Sequence, residues 1–241
     1  GFANRVGVEQ SVAAINYNWR PATGPFQTVF FSTDWERYED SSGNLQTNSY
    51  TVTPLQLTTN AGDSMFLRSN FDKEVLVQPF QIFPGVVIQP GEYDFENHGI
   101  EFRGASFRKL SGRLAYVEGA FWSGRQKRVF GNVTWVASPQ IRANIGFNVT
   151  SAKLPEGDFI TRLFTAGLDF VFSNKLSLVN LVQYDNVSET IGINMRLNWI
   201  PVPGQEFFFV VNHNMEDFDR DNRFHSAAST VTAKFSYTFR Y

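Results

Sequence analysis

Three histidines, His98, His213 and His225, are the residues of this chain whose charge can change near neutral pH, so they are the natural candidates for acid–base work. His225 is followed by Ser226, and a serine activated by a histidine is the nucleophile of acyl-transfer chemistry. Neighbours along an extended chain point to opposite faces, so this pair does not make a nucleophile and its base. No G-x-S-x-G, H-E-x-x-H or phosphate-cradling glycine loop is present. The stretch Asp217-Phe218-Asp219-Arg220-Asp221-Asn222 begins like a calcium loop, with acids at alternate positions. Asn222 stands where the turn glycine belongs, Ala228 where the bidentate glutamate belongs, and Arg220 and Arg223 offset the charge. It reads as a solvated loop. Asn132-Val133-Thr134, Asn148-Val149-Thr150 and Asn186-Val187-Ser188 match glycosylation acceptors, but the first two fall inside stretches that read as strands. With no Cys there is neither a disulfide framework nor a thiolate metal site. The expectation is therefore no enzyme, no metal and no cofactor.

The elements that carry these residues are written in a period of two. Of the 241 residues, 16% are aromatic, 25 of them Phe, while only 18% are charged. The longest apolar run is five residues, 207–211, far short of the roughly 20 a membrane helix needs. Mean hydropathy is −0.23. A closed barrel reconciles these facts: it satisfies every backbone group in lipid and is apolar only at alternate positions. From Val231 the odd positions are Val231, Ala233, Phe235, Tyr237, Phe239 and Tyr241, and the even ones Thr232, Lys234, Ser236, Thr238 and Arg240. The same alternation runs through 141–149, 160–172 and 191–199. The net charge of −2 offers no electrostatic footprint for nucleic acid.

The pattern predicts an all-β fold, an antiparallel transmembrane outer-membrane β-barrel occupying 1–241 as a single domain with about 13–14 strands. Thirteen are placed near 9–20, 26–39, 44–57, 63–76, 93–105, 111–123, 127–137, 140–151, 159–172, 175–186, 190–200, 205–215 and 228–241. The longer connections, near 77–92, 151–158 and 216–227, all fall on one parity, as outer loops do opposite short periplasmic turns, although two connections of that parity, near 124–126 and 187–189, are also short. Trp19, Trp135 and Trp199 fall just before short turns, and Trp35 and Trp122 near the opposite strand ends, so all five are expected in the two aromatic girdles. Arg142, Asp169, Arg196, Lys234 and Arg240 fall on polar faces and are the expected lumen-facing charges. The 77–92 segment, with Phe80, Phe83 and Pro84, is too apolar for a solvated loop. It is expected to constrict the lumen, cover a rim or meet a partner. Thirteen strands with Tyr241 in the periplasm leave Gly1 on the outer side, so parity predicts that the barrel is incomplete at its N-terminus and is the C-terminal part of a larger one. A further strand within residues 1–8 would remove that inference.

Two resemblances add to this reading. The ending Lys234-Phe235-Ser236-Tyr237-Thr238-Phe239-Arg240-Tyr241 resembles the terminal signal taken up by the barrel-assembly machinery, with Phe239 and Tyr241 as its last aromatics and Ser236 in place of the usual Gly. Pro79-Phe80-Gln81-Ile82-Phe83-Pro84-Gly85, Pro90-Gly91-Glu92-Tyr93, Leu154-Pro155-Glu156-Gly157-Asp158-Phe159, Gln183-Tyr184-Asp185-Asn186-Val187-Ser188 and Leu197-Asn198-Trp199-Ile200-Pro201 resemble the C-terminal barrel region of an outer-membrane family of unknown function. In that family a domain similar to family 9 carbohydrate-binding modules precedes the barrel. The likeness is clearest over 70–241 and implies a bacterial outer-membrane location. The partners it implies are the lipid bilayer, the assembly machinery, and a preceding N-terminal segment or another envelope protein. It carries over no catalytic residue. Two functions follow as expectations: a channel or transport barrel, or a structural barrel that anchors or binds a partner domain.

Overall fold

The computed structural model describes residues 7–221 and 223–238, and over these it is all-β, with fifteen antiparallel strands and no helix. The strands are β1 (Val8–Trp19), β2 (Phe26–Asp40), β3 (Leu45–Thr59), β4 (Ser64–Leu76), β5 (Phe80–Phe83), β6 (Val86–Ile88), β7 (Gly91–Arg103), β8 (Leu110–Phe121), β9 (Gly124–Ser138), β10 (Ile141–Lys153), β11 (Phe159–Ser173), β12 (Leu176–Asp185), β13 (Thr190–Trp199), β14 (Gln205–Glu216) and β15 (His225–Tyr237). Thirteen of them follow one another in a single sheet, β1-β2-β3-β4-β7-β8-β9-β10-β11-β12-β13-β14-β15, and β5 pairs with β6 as a separate hairpin. The sheet strands lie at the thirteen places where the alternation puts them. The hairpin is an addition within the 77–92 segment, turning at Pro84 and Gly85. No helix among the described residues is long and apolar enough to cross a membrane, which does not bear on crossing by strands.

The chain divides into two compact units. The first comprises Gly1–Ala105, Arg113–Val129 and Thr150–Ile160, the second Ser106–Gly112, Phe130–Val149 and Thr161–Tyr241.

In the first unit the register sets two faces. Residues directly opposite in an antiparallel pair share a face, so Trp35, Tyr50 and Phe71 lie in one row across β2, β3 and β4. Leu57, Met65, Phe102 and Leu114 form another row of the same face across β3, β4, β7 and β8. Pro54 sits in the interior of β3, where its missing N–H would break a ladder. The register there jumps from Val52↔Ser69 to Leu55↔Leu67, so a bulge takes the proline out of the pairing. Gly119 is opposite Asn97, and a Cβ on it would meet Glu96 O at 2.0 Å, so only glycine lets these two strands approach.

The second unit repeats the two faces over five strands. One row runs Leu176, Trp199, Phe207, Phe235 and another Leu178, Leu197, Phe209, Ala233. The other face carries Asp169, Val179, Arg196, Val210 and Thr232. Glycines on that face make room for polar neighbours: a Cβ on Gly167 would meet the Asn144 amide at 2.3 Å, and one on Gly146 the Thr165 hydroxyl at 2.6 Å.

Candidate functional site: two opposed faces and a capped strand end

Many large apolar side chains of the sheet strands are exposed. In the second unit Trp199 is 46% exposed, Phe207 39% and Phe235 54%. They form a ladder at the short-turn end, with ring centroids 5.3 Å apart for Trp199–Phe207 and 4.6 Å for Phe207–Phe235. Phe164, Leu168, Phe172, Val182 and Met195 are exposed on the same face. In the first unit Ile15, Tyr17, Trp19, Phe31, Tyr50, Phe71, Phe102 and Leu114 are exposed on one face. Single exposed apolar residues are ordinary, whereas contiguous rows of this extent mark a surface that meets something other than water.

The opposite faces are polar. In the second unit Asp169 and Arg196 lie in one row separated by Val179, and Lys234 pairs with Phe208 in the row of Asn198. Arg142 shares its parity with Asn144 and Gly146, which touch Gly167 and Thr165 on this face. Arg142, Asp169, Arg196 and Lys234 are thus on one face of one unit. Asn194, Asn212, Asn214 and Gln183 line a shallow groove there. Arg240, and with it Phe239 and Tyr241, lies outside the described residues. In the first unit Glu101 accepts from Arg103 and lies 3.1 Å from Arg113, and the Arg103 guanidinium lies 4.4 Å above the Phe66 ring.

Four of the five tryptophans, Trp19, Trp35, Trp135 and Trp199, lie on strands, and Trp19, Trp135 and Trp199 are exposed there. Trp122 differs from the girdle expectation. It occupies the tight turn between β8 and β9 with φ of 49°, a left-handed backbone that a bulky residue adopts only when its surroundings hold it. Phe80, Tyr93 and Phe95 surround it at 5.1, 5.2 and 5.2 Å. Phe95 pairs with Asp72 and Tyr93 with Glu74, so Trp122 is drawn to the polar-face side.

That aromatic group belongs to the one apolar core cluster among the described residues. Val86, Ile88, Ala152, Leu154 and Phe159 are buried, with Leu76, Ile82, Phe83, Tyr93, Phe121 and Trp122 packed against them. Phe83 stacks on Phe159 at 4.7 Å. The β5–β6 hairpin is therefore tied down at the long-loop end of the first unit, on the side of Asp72 and Glu74. Phe80 and Phe83 pack on the chain's own residues, while Pro84 lies exposed in the turn of the hairpin.

The face of Trp35, Tyr50 and Phe71 carries a cross-strand polar contact that the sequence does not disclose. Ser69 is the register partner of His98, and its Oγ lies 2.9 Å from His98 Nδ1. His98 Nε2 lies 3.2 Å from Glu96 Oε1. The Phe71 ring stands edge-on to the imidazole at 6.1 Å, and Glu118 pairs with His98 from β8 while accepting from the Tyr116 hydroxyl at 2.7 Å. Only His98 and Glu96, two apart on one strand, could have been placed together from sequence. Ser69 arrives through a pairing across the inserted hairpin. A second cross-strand pair, His213 Nδ1 with Ser229 Oγ at 2.6 Å, lies on the corresponding face of the second unit, with no carboxylate on its other nitrogen among the described residues. His225 and Ser226 are consecutive in β15 and are not brought together. No group of His, Cys, Asp and Glu able to hold a metal occurs among the described residues. Compared with known proteins, the chain matches no family model and no curated protein sequence.

Proposed function

We propose that this chain forms wall of a bacterial outer-membrane β-barrel and that the barrel is a channel or transport barrel. The observation that carries the reading is the exposed apolar face of the second unit. On β13 it spans Ile191 to Trp199, nine residues, which matches the roughly 9–11 that a tilted strand needs to cross a bilayer. It ends in the Trp199–Phe207–Phe235 ladder, the placement expected of an interfacial aromatic girdle. In water such a face would drive aggregation; against lipid its exposure needs no further partner. The polar face, with Arg142, Asp169, Arg196 and Lys234, then lines an aqueous lumen and sets its preference among ions and solutes.

A second reading, a structural barrel that anchors or binds a partner domain, is favoured by the hairpin, because a segment held by a fully buried Ile88 is a cover rather than a free loop. The resemblance to a family with a carbohydrate-binding-like domain before its barrel supports the same alternative. Single-channel recording of the full-length natural protein in a planar bilayer separates them. Stable conductance steps that grow when 80–88 is replaced by a short turn support the channel with the hairpin as its constriction. Silence from a folded, heat-modifiable protein rejects the open channel and leaves the anchor.

A further inference from the structure

We infer that Ser69, His98 and Glu96 form an esterase site on the outward face of the wall, cleaving the acyl esters of membrane lipids. The three groups stand in the order that serine hydrolysis requires, nucleophile, base and orienting carboxylate. In the Nε2–H tautomer His98 Nε2 donates a hydrogen bond to Glu96 Oε1, and Nδ1 is the lone-pair nitrogen that accepts from the Ser69 hydroxyl 2.9 Å away. Phe71 packs edge-on against the ring and limits its rotation, while Glu118 and Tyr116 bound the site on the β8 side.

The substrate follows from where the site lies. Ser69 and His98 occupy the row next to Trp35, Tyr50 and Phe71, between that aromatic row and the Leu67–Ile100 row. An aromatic row of this kind marks the boundary between headgroups and hydrocarbon, and lipid ester bonds lie at that boundary. The substrate class rests on the membrane orientation proposed above; the nucleophile does not. In the reaction, Ser69 Oγ attacks the ester carbonyl as His98 Nδ1 takes its proton. The C–O bond to the lipid alcohol then breaks, and His98 returns the proton to the departing oxygen. Water repeats the sequence on the acyl-serine, His98 accepting its proton and restoring it to Ser69, and a free fatty acid leaves. Ser69 and His98 are the catalytic residues, and Glu96 positions the imidazole.

The test is to treat the purified full-length protein in detergent with a long-chain alkyl fluorophosphonate, which phosphonylates an activated serine with loss of fluoride, and to locate the adduct by mass spectrometry. Labelling of Ser69 is expected, abolished in Ser69→Ala and slowed about 10²-fold or more in His98→Gln, with Ser229→Ala unchanged. Fatty acid release is then followed from phosphatidylcholine vesicles and from lipopolysaccharide, which separates the two ester sources. Glu96→Gln should lower kcat while leaving KM for the vesicle substrate near the parent value, because the carboxylate orients the imidazole and does not touch the lipid. Heat-modifiable migration reports folding of every variant and tests the barrel independently. A folded protein that takes no adduct, or a Ser69→Ala variant that labels or hydrolyses like the parent, overturns the site. Labelling of Ser69 with no fatty acid from either lipid overturns the lipid-ester substrate.

Discussion

Phe83 lies flat on Phe159, with ring centroids 4.7 Å apart and planes within 7° of parallel. The stack joins the β5–β6 hairpin to the start of β11, and Ile88 is buried beside it at 0% exposure. Truncating that side chain removes packing the surroundings can only partly refill. Ile88→Ala is expected to weaken the hairpin's docking by about 2–5 kcal/mol. Limited proteolysis should show cleavage within 77–90 in the variant and resistance in the parent.

The two faces make opposite demands at adjacent positions. Leu197 lies in the apolar row with Leu178 and Phe209, and Arg196 in the row with Asp169. Leu197→Arg is expected to destabilise the protein in lipid vesicles by about 2–4 kcal/mol if it lies near the bilayer midplane. Arg196→Leu should cost much less and change ion selectivity instead. Denaturant titrations in vesicles, with conductance alongside, check both; equal costs would remove the facial assignment.

Tryptophan depth is measurable directly. Brominated acyl chains should quench Trp19, Trp135 and Trp199, which are exposed on strands. Trp122, enclosed by Phe80, Tyr93 and Phe95, should be shielded until the hairpin is removed. Single-tryptophan variants give the answer residue by residue.

Backbone approach decides which glycines are replaceable. A Cβ on Gly119 would fall 2.0 Å from Glu96 O, whereas one on Gly192 would meet nothing closer than Asn214 Oδ1 at 3.6 Å. Gly119→Ala is expected to abolish the heat-modifiable folded band, and Gly192→Ala to leave it intact.

The strands were legible because a half-exposed strand must alternate, and segments such as 191–199 alternate without a fault. Their parity also gave the common face of Asp169, Arg196 and Lys234. Contacts that depend on register were not legible. Ser69 meets His98 only because the chain returns from the 77–90 excursion with Leu76 opposite Gly91, and no local pattern fixes that number. Trp122 was misplaced for a related reason. Position near a strand end says how high a residue sits, while its positive φ and three ring neighbours decide which way it turns.

The bulge at Thr53 and Pro54 makes β3 a strand with two reading frames. Before it, even-numbered residues such as Tyr50 and Val52 share the face of Phe71; beyond it, odd-numbered Leu55 and Leu57 do. Thiol-labelling scans that assume one frame along β3 would therefore assign half of the strand to the wrong face. Deleting Pro54 would leave Tyr50 and Leu57 six positions apart, an even number, so a regular strand would carry both on the same face in one continuous frame.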